Sequence, residues 1–203
     1  FVARGEDGRT ALWIRALASR EAKMLPGTTD ARHPFWSPDG RKIGFFAQNR
    51  LKATELFGGQ PRVLAETGSG VDSRGGAWSA EDVILFAPSF VGPLLAVPAR
   101  GGAVEAATRI AEGSGIGTQR FPCFLPDGKR FLFYASGGTG IEPGTLWLGE
   151  LGSLDSKLLG PVTSMGIWAA PGYLLYVSGD SLVAHRFDDR RNELVGDPAP
   201  LGI

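Results

Sequence analysis

One cysteine and two histidines leave little material for several kinds of chemistry. Cys123 alone forms no intrachain disulfide, and with His33 and His185 it cannot build a Cys/His zinc cage. A single cysteine also gives no reading of the redox compartment. Charge of one sign is not in excess: Lys and Arg number 21, and Asp and Glu number 21. That balance argues against nucleic-acid or membrane-surface binding, which draws on a basic excess. No apolar run approaches the roughly 18 residues of a membrane-spanning helix. No G-x-S-x-G nucleophile elbow and no acidic EF-hand loop occur, so neither a metal nor a cofactor is expected. The chain opens on Phe1, and FVARGEDGRT lacks the charged-then-apolar layout of a signal peptide. It reads as a piece of a longer protein.

Glycine and proline are plentiful instead, at 30 and 14 of 203 residues. That density works against long helices and favours short strands joined by turns. Hydrophobic residues make up 43%, enough for a packed core. The main signal is an internal repeat. HPFWSPDGRKIGFF at 33–46 lines up with GAWSAEDVILFA at 76–87, FPCFLPDGKRFLFY at 121–134 and MGIWAAPGYLLYV at 165–177. The aligned aromatics Trp36, Trp78, Phe124 and Trp168 stand 42, 46 and 44 residues apart. A period in the forties made of short strands predicts the four-stranded blades of a β-propeller.

Each unit has room for four strands. In the second, PFW ends an inner strand and SPDG makes a tight turn, with Pro38 presetting φ and Gly40 tolerating a positive one. KIGFFA, LKATELF and PRVLAE follow as further strands. The fold expectation is an all-β single domain over 1–203, with units near 1–28, 29–69, 70–112, 113–162 and 163–203. The first unit lacks its inner strand, leaving about four and three-quarter blades of a ring of six or more.

WSPDG at 36–40 and LPDG at 125–128 resemble the TolB-type propeller repeat, and the likeness covers almost the whole chain. None of the five Trp is followed by Asp, unlike the WD40 type. The longer phrases PFWSPDGRKIGFFA, GGAWSAEDVILFAP and FPCFLPDGKRFLFYA look like propellers at the C-terminal end of some bacterial serine/threonine protein kinases. That resemblance implies an extracytoplasmic or periplasmic sensing or interaction domain. SAED at 79–82 and AAPG at 169–172 depart from SPDG, which predicts turns of a different type there. Their loss of the turn Asp marks Asp39 and Asp127 as structural.

Four residues before each marker aromatic stand Arg32, Arg74 and Arg120, with Ser164 in the last unit. Two residues earlier come Asp30, Asp72 and Thr118. Inner strands start near the central channel, so these arginines and His33 are the candidate binding residues at one channel mouth. Guanidinium suits carboxylate or phosphate because it is always charged and binds bidentately. The competing reading pairs each Arg with the nearby Asp or with turn carbonyls. The repeat aromatics are read as blade-to-blade packing, and Cys123 as a small buried hydrophobe. GDSL at 179–182 copies the opening of a lipase family but lies where a hairpin turn is expected. GSGIG at 113–117 and GGTG at 137–140 precede no helix that could aim at a phosphate.

The functional expectation is a non-catalytic binding or sensing module with a protein or small anionic ligand at the channel mouth. Its first-ranked setting is the outer part of a bacterial serine/threonine kinase. Alternatives are a periplasmic TolB-like scaffold and the gating propeller of a prolyl-oligopeptidase-type hydrolase.

Overall fold

The structure is a computed structural model that describes residues 1–57, 59–68, 73–137 and 143–202. Among these it holds strands and turns and no helix. Five antiparallel sheets follow one another along the chain. The first has three strands, β1 (Val2–Arg4), β2 (Thr10–Ile14) and β3 (Lys23–Met24). The second has β4 (Arg32–Trp36), β5 (Lys42–Ala47), β6 (Arg50–Glu55) and β7 (Arg62–Glu66). The third has β8 (Gly76–Trp78), β9 (Val83–Phe86), β10 (Leu95–Pro98) and β11 (Glu105–Ala106). The fourth has β12 (Thr118–Phe124), β13 (Arg130–Ser136), β14 (Gly144–Glu150) and β15 (Ser156–Val162). The fifth has β16 (Ile167–Ala169), β17 (Tyr173–Ser178), β18 (Ser181–Asp188) and β19 (Glu193–Pro200). Within each sheet the strands pair in sequence order.

The near-continuous apolar runs have a simple cause. Successive side chains of a strand point to opposite faces, and here both faces are covered. On β5, Phe45 packs toward Leu12 and Leu25 of the first sheet's side, while Phe46 packs with Trp78, Ile84 and Phe86 of the third sheet. On β13, Phe131, Phe133 and Ala135 meet Leu85, Ala87 and Leu94, while Leu132 and Tyr134 meet Leu174 and Tyr176. Successive sheets therefore stack face to face with a separate core between each pair. Among the described residues no central core gathers all five sheets.

The turns between first and second strands correct one expectation. In SPDG the Gly40 amide bonds the Ser37 carbonyl at 2.9 Å, with Gly40 at φ 67°. In SAED the Asp82 amide bonds Ser79 O at 3.2 Å, and Asp82 itself adopts φ 56°. The SAED turn is thus of the same form, with Asp in the left-handed position that Asp tolerates. The AAPG turn does differ: its Ala170–Pro171 bond is cis. Asp39 and Asp127 are structural, each accepting turn amides, from Arg41 in the first case and from Lys129 and Arg130 in the second.

A second correction concerns the repeat aromatics. Trp78 is buried, 7% exposed, and its indole N–H donates to Asp82 Oδ1 at 3.1 Å. Phe124 and Trp168 are half-buried against the cores on their flanks. Trp36 is 53% exposed and borders a cavity with Phe1 and Trp13. Repeat position therefore does not set burial: Trp36 and Trp78 are equivalent in the repeat and differ in exposure.

Candidate functional site

The inner strands β4, β8, β12 and β16 lie side by side in that order. Directly after Arg32, Arg74 and Arg120 the backbone turns left-handed, at His33 (φ 46°), Gly75 (φ 84°) and Phe121 (φ 53°). The pairing register shifts at the same places, between Arg32 and Phe35 and between Arg120 and Cys123. Such bulges re-aim the side chains around them. Here they meet one another. The Phe121 amide bonds the Arg74 carbonyl at 2.9 Å, and the Phe121 and His33 rings lie 6.4 Å apart, centroid to centroid. Gly75 is tightly placed: a Cβ there would stand 3.1 Å from the Phe121 ring, and its φ of 84° disfavours other residues. Two aromatic residues and one glycine, all in the left-handed region, thus lie side by side. The sequence marks the arginines but not the left-handed residue after each one, since His33, Gly75 and Phe121 share no residue type that would signal it.

The three arginines differ in environment. Arg32 is exposed beside a polar cleft of about 190 Å³ that also includes Asp30, Gln48 and Ser73. The expected Asp30–Arg32 pair is replaced. Arg9, from the first sheet, takes the Asp30 carboxylate through Nε at 3.3 Å and Nη2 at 2.6 Å. That bond holds the Asp30 carboxyl below its usual range, and the charge of Arg32 adds a smaller pull. Arg74 donates through Nη1 to Ser73 O at 3.3 Å. Its expected partner Asp72 lies outside the described residues, as does most of GGTG.

Arg120 is 8% exposed. Its Nη2 donates to Ser136 Oγ at 3.0 Å, and its Cζ stands 5.4 Å from the Tyr134 ring centroid. Its Nε is buried and without a hydrogen-bond partner. Burial pushes the guanidinium below its ordinary pKa; Tyr134 opposes that shift and the positive charge of Arg74 adds to it. Thr118, two residues earlier, is fully buried with an unpartnered hydroxyl.

The remaining flagged residues have structural surroundings. His185 is bonded on both sides, Nδ1 to the Tyr176 hydroxyl at 2.7 Å and Nε2 to Gly196 O at 2.9 Å. Cys123 packs into the core between the fourth and fifth sheets, and burial pushes its thiol up. Gly179 and Asp180 of GDSL form the turn between β17 and β18. Among the described residues no three His, Cys, Asp or Glu side chains group to hold a metal ion.

The opposite face, with the SPDG-type turns, is tied between sheets. Arg130 on β13 binds Asp127 of its own turn and Asp189 and Asn192 of the fifth sheet. Lys129 lies 3.9 Å from Glu81 of the third sheet. The Lys157 ammonium bonds Glu193 at 2.9 Å.

No protein-family model and no curated protein sequence matches the chain. Solved structures do. It is similar to TolB from Acinetobacter baumannii, with TM-score 0.66 and 14% identity over 98% of this chain and 51% of that one. A chain of a nidogen/laminin complex gives TM-score 0.66 and 12% identity, over 94% of this chain and 72% of that one. Puromycin hydrolase gives TM-score 0.66 and 20% identity, over 96% of this chain and 36% of that one. This chain spans about half the length of the TolB chain it matches. At these identities the likeness speaks to fold. With its five stacked antiparallel sheets, the chain is an all-β propeller segment.

Proposed function

We propose that this chain is a non-catalytic propeller scaffold that binds its partner on the face where the inner strands begin. The observation that carries this is the contrast between its two faces. On one, the left-handed residues His33, Gly75 and Phe121 follow Arg32, Arg74 and Arg120, and the His33 and Phe121 rings lie 6.4 Å apart. On the other, Asp127, Arg130 and Asp189 are occupied in joining sheets. Recognition residues on loops and strand ends held by a rigid scaffold are the common arrangement for binding surfaces.

The similarity to TolB supports the scaffold reading. The similarity to puromycin hydrolase supports a second setting, in which the propeller accompanies a hydrolase domain elsewhere. A kinase setting, with the extracytoplasmic placement it implies, rests on the repeat phrases alone. Sequencing the whole reading frame separates the three. A kinase domain and a membrane span upstream, a G-x-S-x-G domain downstream, or a leader with neither would select one.

The binding face itself is tested by a photo-crosslinking residue placed at His33 or, on the opposite face, at Asp39 in the full protein in its host. The expected result is a discrete adduct from position 33, lost when Arg32, Arg74 and Arg120 are all replaced by Gln, and none from position 39. Equal adducts from both faces, or none from 33, overturn the assignment.

A further inference from the structure

We propose that the channel mouth binds an oxyanion, a carboxylate or phosphate group, with Arg120 as its anchor and Arg74 beside it. This deepens the reading of that face as the recognition surface and rests on it.

The other well-buried arginine shows what this fold does when a guanidinium is structural. The Arg130 side chain is 18% exposed and is surrounded by acceptors: Asp127 Oδ2 at 2.5 Å, Asp189 Oδ1 at 2.6 Å, Asp189 O at 3.0 Å and Asn192 Oδ1. More exposed arginines are matched too, Arg9 with Asp30, Arg50 with Glu66 and Arg109 with Asp155. Arg120 is more deeply buried than these, yet among the described residues it touches no carboxylate. Its neighbours are a hydroxyl, Ser136 Oγ, and an aromatic face, Tyr134. Its Nε–H is buried with no acceptor.

The repeat shows how this arises. Two residues before Arg32 stands Asp30, and at the same place before Arg120 stands Thr118, which brings no charge and whose own hydroxyl is unpartnered. In the next unit Ser164 occupies the arginine position, and its Oγ is engaged locally with the Val177 amide and the Met165 carbonyl. Arg74 is its neighbour, just before the adjacent inner strand: the Arg74 carbonyl accepts the amide of Phe121, the residue after Arg120, at 2.9 Å. Taking a cation out of water is costly unless an opposite charge compensates. A buried guanidinium with no carboxylate beside it is the arrangement that an oxyanion stabilises, through charge-assisted hydrogen bonds. Phe121, the next residue, is half-buried and supplies an apolar wall.

The test titrates the full chain with sodium phosphate and, separately, with sodium acetate, each against sodium chloride at matched ionic strength. Melting temperature and isothermal titration calorimetry are the readouts. The expected result is a saturable, one-site effect beyond that of chloride. Phosphate alone assigns a phosphorylated group, acetate alone assigns a carboxylate, and both assign a general oxyanion site. Arg120→Met should weaken the binding about tenfold or more, the loss of one charge-assisted contact. Arg74→Gln should weaken it in the same direction, and it keeps the proposal testable if the buried substitution does not fold. Arg4→Gln, on the exposed part of β1, should leave it unchanged. No saturable effect from either salt, or equal binding by the Arg120 and Arg74 variants, overturns the site. If it fails while the cross-link from position 33 persists, the anion is lost and the recognition face stands. If both fail, the reading beneath it fails.

Discussion

The Arg130 guanidinium of the fourth sheet meets the Asp189 carboxylate of the fifth, Nη2 to Oδ1, at 2.6 Å. The same guanidinium holds Asp127 through Nε at 2.5 Å. One side chain therefore fixes its own turn and couples two sheets. Arg130→Met is expected to lower stability by about 1–3 kcal/mol, because it removes charge-assisted bonds and leaves their acceptors unpaired. Asp189→Asn removes one exposed partner and should cost under about 1 kcal/mol. Chemical denaturation of both variants checks the order.

Acid should expose the same network. Burial raises the Asp127 carboxyl, but the amides of Lys129 and Arg130 and the Arg130 side chain outweigh it, so the net shift is downward. A carboxylate with a depressed folded pKa contributes its full stabilisation above the unfolded value of about 4. That contribution is lost as pH falls through the folded value. Asp127→Asn should therefore show a shallower fall in stability between pH 5 and the acid range (roughly pH 2) than the parent chain. Parallel curves for the two proteins would show that Asp127 is not part of the acid response.

Phe35 lies over two glycines from different sheets. A Cβ on Gly44 would stand 2.3 Å from the Phe35 ring, and one on Gly76 would stand 2.5 Å from it. Gly44→Ala is expected to destabilise by about 1–3 kcal/mol through overpacking. Pairing it with Phe35→Leu should recover part of the loss, which a double-mutant cycle would read as a coupling. Additive losses would mean that the cost of the new methyl does not come from the Phe35 ring.

The repeat aromatics should separate sharply under truncation. Trp78→Ala removes a buried indole and should cost about 3–5 kcal/mol. Trp36→Ala removes a half-exposed one and should cost about 1 kcal/mol or less, by the usual modest effect of surface changes. Thermal melts of the two variants decide whether repeat position or burial governs the effect.

The buried pair of Tyr176 and His185 gives a last test. His185 Nε2 faces a carbonyl, which only accepts, so that nitrogen carries the proton and the Tyr176 hydroxyl donates to Nδ1. Tyr176→Phe leaves Nδ1 without a donor and should cost about 1–3 kcal/mol. Unchanged unfolding free energy would mean that solvent replaces the hydroxyl.

Much of the architecture was legible because it is local. Pro38, Gly40 and Gly128 set turns from their own backbone preferences, and the apolar runs of β5, β9 and β13 announce strands covered on both sides. The 42- to 46-residue spacing of the aromatics carried the repeat. What failed was inference from repeat position to environment. Trp36 and Trp78 share a position, yet Trp78 is buried and Trp36 is half exposed. SAED lacks glycine, yet Asp82 reaches the same left-handed turn. Asp30 stands two residues from Arg32, yet its carboxylate goes to Arg9 of another sheet.

The sequence by itself determined the strand order, the turn positions and the placing of Arg32, Arg74 and Arg120 at equivalent points of the repeat. These follow from backbone preferences and side-chain alternation, which act over a few residues. Only the tertiary structure decided that the bulges after those arginines meet, that Arg120 is buried against Tyr134, and that Arg130 takes the carboxylates. Burial and charge pairing depend on which side chains the neighbouring sheet brings within a few ångströms, and a repeat with identical spacing can bring different ones.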